Sequence, residues 1–157
     1  MGTNIYLVKQ ITKEDIEEIK KVFNNCINDL ETSRDINKVT VPVEEALEKL
    51  KNEIHICKRS AGWQLLFESH KELYECTWKS MTDYIRKVLN DDTYIMVDEY
   101  GKLYSLNDLK EDLEAFKNGW THESYKKHLI EKRERVYPGT SHEYISDNLR
   151  WTDDWFC

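Results

Sequence analysis

Glycine and proline are scarce, five and two residues respectively in a chain of 157. Long irregular loops are therefore excluded, and short connections between helices and strands are expected. No run of roughly 18 apolar residues occurs, so no segment is expected to span a membrane. C-x-x-C pairs are absent, which removes the commonest zinc and dithiol spacings. The four cysteines, Cys26, Cys57, Cys76 and Cys157, are scattered and are expected as free thiols in a reducing compartment. No glycine-rich loop precedes a helix in the manner of a phosphate-binding or dinucleotide-binding turn, so no cofactor is expected. The opening MGTNIYLVKQ lacks a long apolar core and has Tyr at position 6, so neither a signal peptide nor myristoylation is expected. Cations are outnumbered, 23 to 30, for a net charge of −7. A sequence-independent grip on nucleic-acid phosphates needs the opposite balance, and no direct nucleic-acid partner is expected.

Aromatic residues are plentiful, with five Trp and nine Tyr, and they argue for a packed core rather than disorder. Asn4 to Lys9 reads as a strand. Thr12 and Asp15 form a capping box, and Ile16, Ile19, Phe23, Cys26 and Leu30 then mark one apolar stripe of a helix reaching about Asp29. Pro42 suits a first helical position, followed by Val43, Ala46, Leu47 and Leu50. Ile54 opens a strand that turns at Gly62 into a partner carrying Trp63, Leu65 and Phe67. A helix over Thr77 to Leu89 presents Trp78, Met81, Ile85 and Val88 on one side. A strand then ends at a DEYG turn in which Gly101 takes a positive φ, with a short return strand. Ser105 and Asp108 cap a helix striped by Leu106, Leu109, Leu113 and Phe116, and Gly119 reads as its stop. A last helix covers His122 to Arg133. The order β-α-α-β-β-α-β-β-α-α predicts an α+β fold, an antiparallel sheet with several helices packed on it. Residues 1–157 are expected to form one compact domain, with 12–51 as a helical insertion and 140–157 as an aromatic tail docked on the body.

The stretch IHICKRSAGW carries the candidate ligand site: His55, Lys58, Arg59, Ser60, Gly62 and Trp63. Two cations, a hydroxyl and backbone N–H groups at a glycine turn can hold a small anion, and Trp63 can stack on a base or sugar. The plainer alternative is a hairpin turn, with Ile54, Ile56 and Trp63 in the core and Lys58 and Arg59 solvated. No His or Cys spacing matches a metal pattern, so no metal ligand is assigned. Cys57 or Cys76 with a histidine is formally a nucleophile and base, yet nothing places the two together, and no catalytic residue is assigned. The helices after Thr12 and Ser105 carry Glu14, Glu17 and Glu18, and Asp108, Glu111 and Asp112. Such faces solvate a helix, and they also suit a basic groove on a partner protein.

MGTN at the start, HICKRSAGW in the middle and VDEYGKLYSLNDL later occur in that order. The chain thereby resembles a family of small proteins of tailed bacteriophages and prophages, whose members carry MGTNYY, HIGKSSAGW and DEYGR. The match covers Met1 to Leu7, Ile54 to Phe67 and Val97 to Leu109. Cys57 and Arg59 stand where the family has Gly and Ser. Where relatives often carry a C-x-x-C after the first strand, this chain has the segment from Thr12 to Lys51. The resemblance implies a phage accessory protein in the cytoplasm of an infected bacterium, one that binds and modulates a host factor, a defence component among the possible targets, without catalysis. A small-ligand binder acting on a nucleotide or signal molecule through the Lys58–Trp63 turn is the alternative, and a small hydrolytic enzyme a further one.

Overall fold

A computed structural model describes residues 2–50, 52–132 and 142–154, the side chains of 38–40, 49 and 50 excepted. In chain order the elements are β1 (Gly2–Lys9), α1 (Lys13–Ser33), α2 (Asn37–Leu50), β2 (Glu53–Ser60), β3 (Leu66–Glu68), α3 (Trp78–Asn90), β4 (Tyr94–Asp98), α4 (Leu106–Phe116), α5 (His122–Glu131), β5 (Glu143–Ser146) and β6 (Leu149–Thr152). The fold is α+β. Six strands form one sheet in the order β4-β1-β2-β3-β6-β5. The β2–β3 pair is antiparallel with Cys57 opposite Phe67, and so is β5–β6 with Tyr144 opposite Trp151. The β3–β6 pair is parallel, with Phe67 beside Trp151. No helix of the described residues is long and apolar enough to cross a membrane.

The chain divides into two compact units, Met1–Leu7 with Ile54–Cys157, and Val8–Glu53. The larger unit holds the core. Ile5, Leu7, Ile54 and Ile56 from β1 and β2 are buried with Leu65, Phe67, Met81, Ile85, Met96, Leu109 and Trp151. Cys57 is also fully buried, so β2 contributes side chains to the core from both of its faces, as a central strand does. Residues 142–154 supply β5 and β6. Their turn, Asp147 and Asn148, has both residues at positive φ, 52° and 57°, a two-residue hairpin geometry that Asp and Asn tolerate. Trp155 and Phe156, expected to dock with the tail, lie outside the described residues. After β4, the expected return strand is reduced to one bridge, Val97 to Leu103.

In the Val8–Glu53 unit, α1 begins with the Thr12–Asp15 capping box and runs to Ser33, one turn beyond its expected end. α2 packs along it. Only Cys26 of the expected stripe is fully buried. Ile16 and Phe23 are 42% and 43% exposed; within this unit α2 covers one side of a broad apolar face. Pro42 lies inside α2 rather than at its start. The helix begins at Asn37, whose N–H donates to Asp35 Oδ1 at 3.1 Å, an Asx turn that leads into the helix upstream of the proline.

Three of the cysteines, Cys26, Cys57 and Cys76, are free thiols. Gly101 closes the DEYG turn at φ 79°, with its N–H donated to the Asp98 carbonyl at 2.9 Å. A Cβ there would meet nothing within 4 Å, so the only penalty for a side chain is the backbone conformation. Gly101→Val is expected to lower stability by about 1 kcal/mol or more, and Gly101→Asn by less. Urea denaturation of the two variants checks this, and equal midpoints would contradict it.

Candidate functional site

The residues singled out in the sequence do not converge on one pocket. His55 lies mid-strand in β2, its side chain 10% exposed. Its Nδ1–H donates to Glu68 Oε2 at 2.7 Å, its ring faces Tyr6 at 5.0 Å, and its carbonyl accepts from His70 Nε2 at 2.7 Å. Lys58 is half-buried near the end of β2. Arg59 Nη1 donates to Asp112 Oδ2 at 2.8 Å, and the Tyr104 hydroxyl donates to the same oxygen. Burial, then this carboxylate, pushes the Tyr104 phenol up. Arg59 is thus half-buried and paired with the helix after Ser105, not solvated at a turn mouth. Cys57, next to it, is fully buried, and burial pushes its thiol up, away from the thiolate that nucleophilic or metal chemistry requires.

The turn itself is built to hold another segment of backbone. Ser60 accepts from the Trp63 N–H at 3.1 Å, the Gly62 carbonyl accepts from the Trp120 N–H at 2.9 Å, and the Gln64 N–H donates to the Trp120 carbonyl at 3.2 Å. Trp63 and Trp120 form a parallel bridge. The two Gly-Trp dipeptides of the chain, 62–63 and 119–120, therefore lie side by side. Gly119 makes this approach possible: a Cβ on it would stand 2.4 Å from the Trp63 carbonyl carbon and 2.6 Å from Gln64 N. Its φ is not positive, so close approach, not the left-handed helix stop expected from the sequence, is the reason for glycine here.

Trp63 is half-buried rather than enclosed. The Arg150 guanidinium lies over its ring, 5.1 Å from the centroid, and Tyr125 meets it edge-on at 5.1 Å. Tyr125 also meets Trp120 at 6.2 Å, and Trp120 packs on His128 at 5.0 Å. Arg150 is only 5% exposed. Its Nη1 donates to the Gln64 carbonyl at 2.8 Å and its Nη2 to Glu143 Oε2 at 2.7 Å, with His122 Nδ1 4.0 Å from the same carboxylate. The outer residues of this cluster stay open to solvent, Trp120 at 41% and Tyr125 at 38%. The result is an aromatic shelf: a locked floor of Trp63 and Arg150 under an exposed Trp and Tyr.

Beside the shelf lies a hollow of about 330 Å³. Leu65, Leu113, Phe116 and Leu149 supply its apolar wall; its charged residues are Arg150 and the pair Lys117–Glu114, Nζ to Oε2 at 2.7 Å. On the far edge of β6, Asp153 accepts from Ser69 Oγ and, at 3.0 Å, from Lys71 Nζ. Tyr144 stands 3.1 Å from Cys76 Sγ, and burial, then that contact, carries its hydroxyl up to about 12. Among the described residues no group of three or more His, Cys, Asp or Glu side chains is arranged to hold a metal ion.

Sequence reasoning found Trp63 but missed Gly119, Trp120, Tyr125, Glu143 and Arg150. The repeated Gly-Trp dipeptide was the available signal. Gly119→Ala forces a methyl into the Trp63 backbone and is expected to cost about 1–3 kcal/mol, with the Trp63 environment changed in near-ultraviolet circular dichroism. Unaltered stability and spectrum would contradict the close approach. No family model, curated protein or solved structure matches this chain.

Proposed function

We propose that this chain is an accessory protein of a tailed bacteriophage that binds a host protein and modulates it without catalysing a reaction. The observation that carries this reading is the aromatic shelf. Trp, Tyr and Arg are the residues from which protein interfaces draw most of their binding energy. Here Trp120 and Tyr125 are exposed while Trp63 and Arg150 hold them from below, so little side-chain freedom is lost on docking. α5 and its cap carry Lys126, Lys127 and Lys132 against Glu123 and Glu131, a local cationic excess in an acidic chain. The partner surface that suits it is an apolar pocket rimmed with carboxylates. A component of host defence in the infected cytoplasm is a target in keeping with the sequence resemblance.

The shelf reading is favoured over catalysis by the state of the reactive groups. The Cys57 thiol is buried and pushed up, the His55 side chain is only 10% exposed, and Arg59 is engaged by Asp112. One observation favours a second reading, a small-ligand binder. The hollow of about 330 Å³ has the size of a small-molecule site, and its wall is largely apolar, with Lys117 paired to Glu114 and Arg150 to Glu143, which suits a small ligand with a mostly apolar body.

The paired substitution Trp120→Ala with Tyr125→Ala separates the readings. Both side chains are exposed, so the variant is expected to fold, with native far-ultraviolet circular dichroism. It should lose activity in an infection assay, and capture of the wild-type partner from infected cells should fall at least about tenfold, as for removal of two interface anchors. Full activity in the folded variant would contradict the shelf. Loss of activity on Lys117→Glu, with the shelf intact, would favour the hollow.

A further inference from the structure

The Val8–Glu53 unit carries a groove of its own, about 320 Å³, between α1 and α2. Ile19, Val22, Pro42 and Ala46 line it with apolar surface, and Asp15, Glu18 and Glu45 supply carboxylates. Asp15 is engaged. It caps α1 through the Thr12 N–H and hydroxyl, both at 2.8 Å, and Lys9 Nζ stands 3.7 Å away. The Thr12 bonds hold its carboxyl below the usual range. Glu18 and Glu45, one from each helix, are exposed.

We infer that this groove docks a basic amphipathic segment of a partner protein, with apolar side chains against Ile19, Val22 and Ala46, and Lys or Arg against Glu18 and Glu45. Two packed helices with a partly exposed apolar seam accept a third helix by the same side-chain packing that joins the first two. Charge complementarity selects the occupant. Carboxylates contributed from both helices repel nucleic acid and anionic lipid, and the net charge of −7 steers cationic segments toward the protein. This site is separate in residues from the aromatic shelf and does not depend on it.

The test uses the full chain and a fluorescein-labelled amphipathic helical peptide of Leu, Ala and Lys, with a counterpart in which Glu replaces every Lys. Fluorescence anisotropy should show binding of the Lys peptide, weakened by added salt, and none of the Glu peptide. Glu18→Gln with Glu45→Gln, exposed and conservative changes, should leave the circular dichroism spectrum native and weaken binding about fivefold or more. Trp120→Ala should leave binding intact. Equal binding of both peptides, or an unchanged affinity in the double variant, would overturn the proposal. So would loss of binding on Trp120→Ala, which would place the peptide at the shelf. Displacement of the peptide by equimolar spermidine would reassign the groove to small polycations. A dimer in light scattering that the double variant disperses would reassign it to a second copy of the chain.

Discussion

A guanidinium cannot be buried alone, and several elements of the larger unit meet at the buried Arg150. Taking an isolated cation out of water costs several kcal/mol even after relaxation. Arg150, 5% exposed on β6, meets that cost through three contacts that come from different parts of the chain: the Glu143 carboxylate on β5, the Gln64 carbonyl before β3, and the face of Trp63. Each contact fixes something else. Glu143 holds the β5–β6 hairpin in register, Gln64 ties β6 to the turn after β2, and Trp63 carries the bridge to Trp120. The Nε of Arg150 is buried without a partner among the described residues, a further cost of about 1–3 kcal/mol that the rest of the assembly offsets.

Under the proposed function, the cluster divides its labour. The inner members, Trp63, Arg150 and Glu143, are held by packing and charge and are poor candidates for direct partner contact. The outer members, Trp120 and Tyr125, gain a fixed position from them while remaining open. Rigid support under an exposed aromatic is what allows it to act as an anchor rather than fold back into the core. In the proposed reading the turn at Lys58–Trp63 acts through what it positions: its Arg59 is committed to Asp112, and its backbone to the Gly119–Trp120 segment.

Local signals in the sequence were informative where the physics is local. The Thr12–Asp15 and Ser105–Asp108 capping boxes, the positive φ of Gly101 and the helical stripe through Met81, Ile85 and Val88 all follow from residues three or four positions apart. The α+β class followed from the same periodicities. What the sequence did not reveal depends on distant partners. The parallel β3–β6 pairing joins residues more than eighty positions apart. The β5–β6 turn uses Asp147–Asn148 without a glycine, so the usual hairpin signature is missing. Arg150, between Leu149 and Trp151 in what reads only as an aromatic tail, shows no sign of burial until Glu143 and Trp63 are placed beside it. Ile16 and Phe23 have core periodicity, but whether an apolar stripe is covered depends on how many neighbours arrive, which spacing does not encode.

The most direct test of Arg150 as the group on which this unit depends is a double-mutant cycle with Glu143, read by urea denaturation. Glu143→Gln leaves a buried guanidinium short of its counter-charge, and Arg150→Met leaves a buried carboxylate without its cation. Each is expected to cost about 2–5 kcal/mol, and the double variant appreciably less than their sum, with a coupling of about 1 kcal/mol or more. Single costs that add to within about 0.5 kcal/mol would show that the two charges act independently, and would contradict the account.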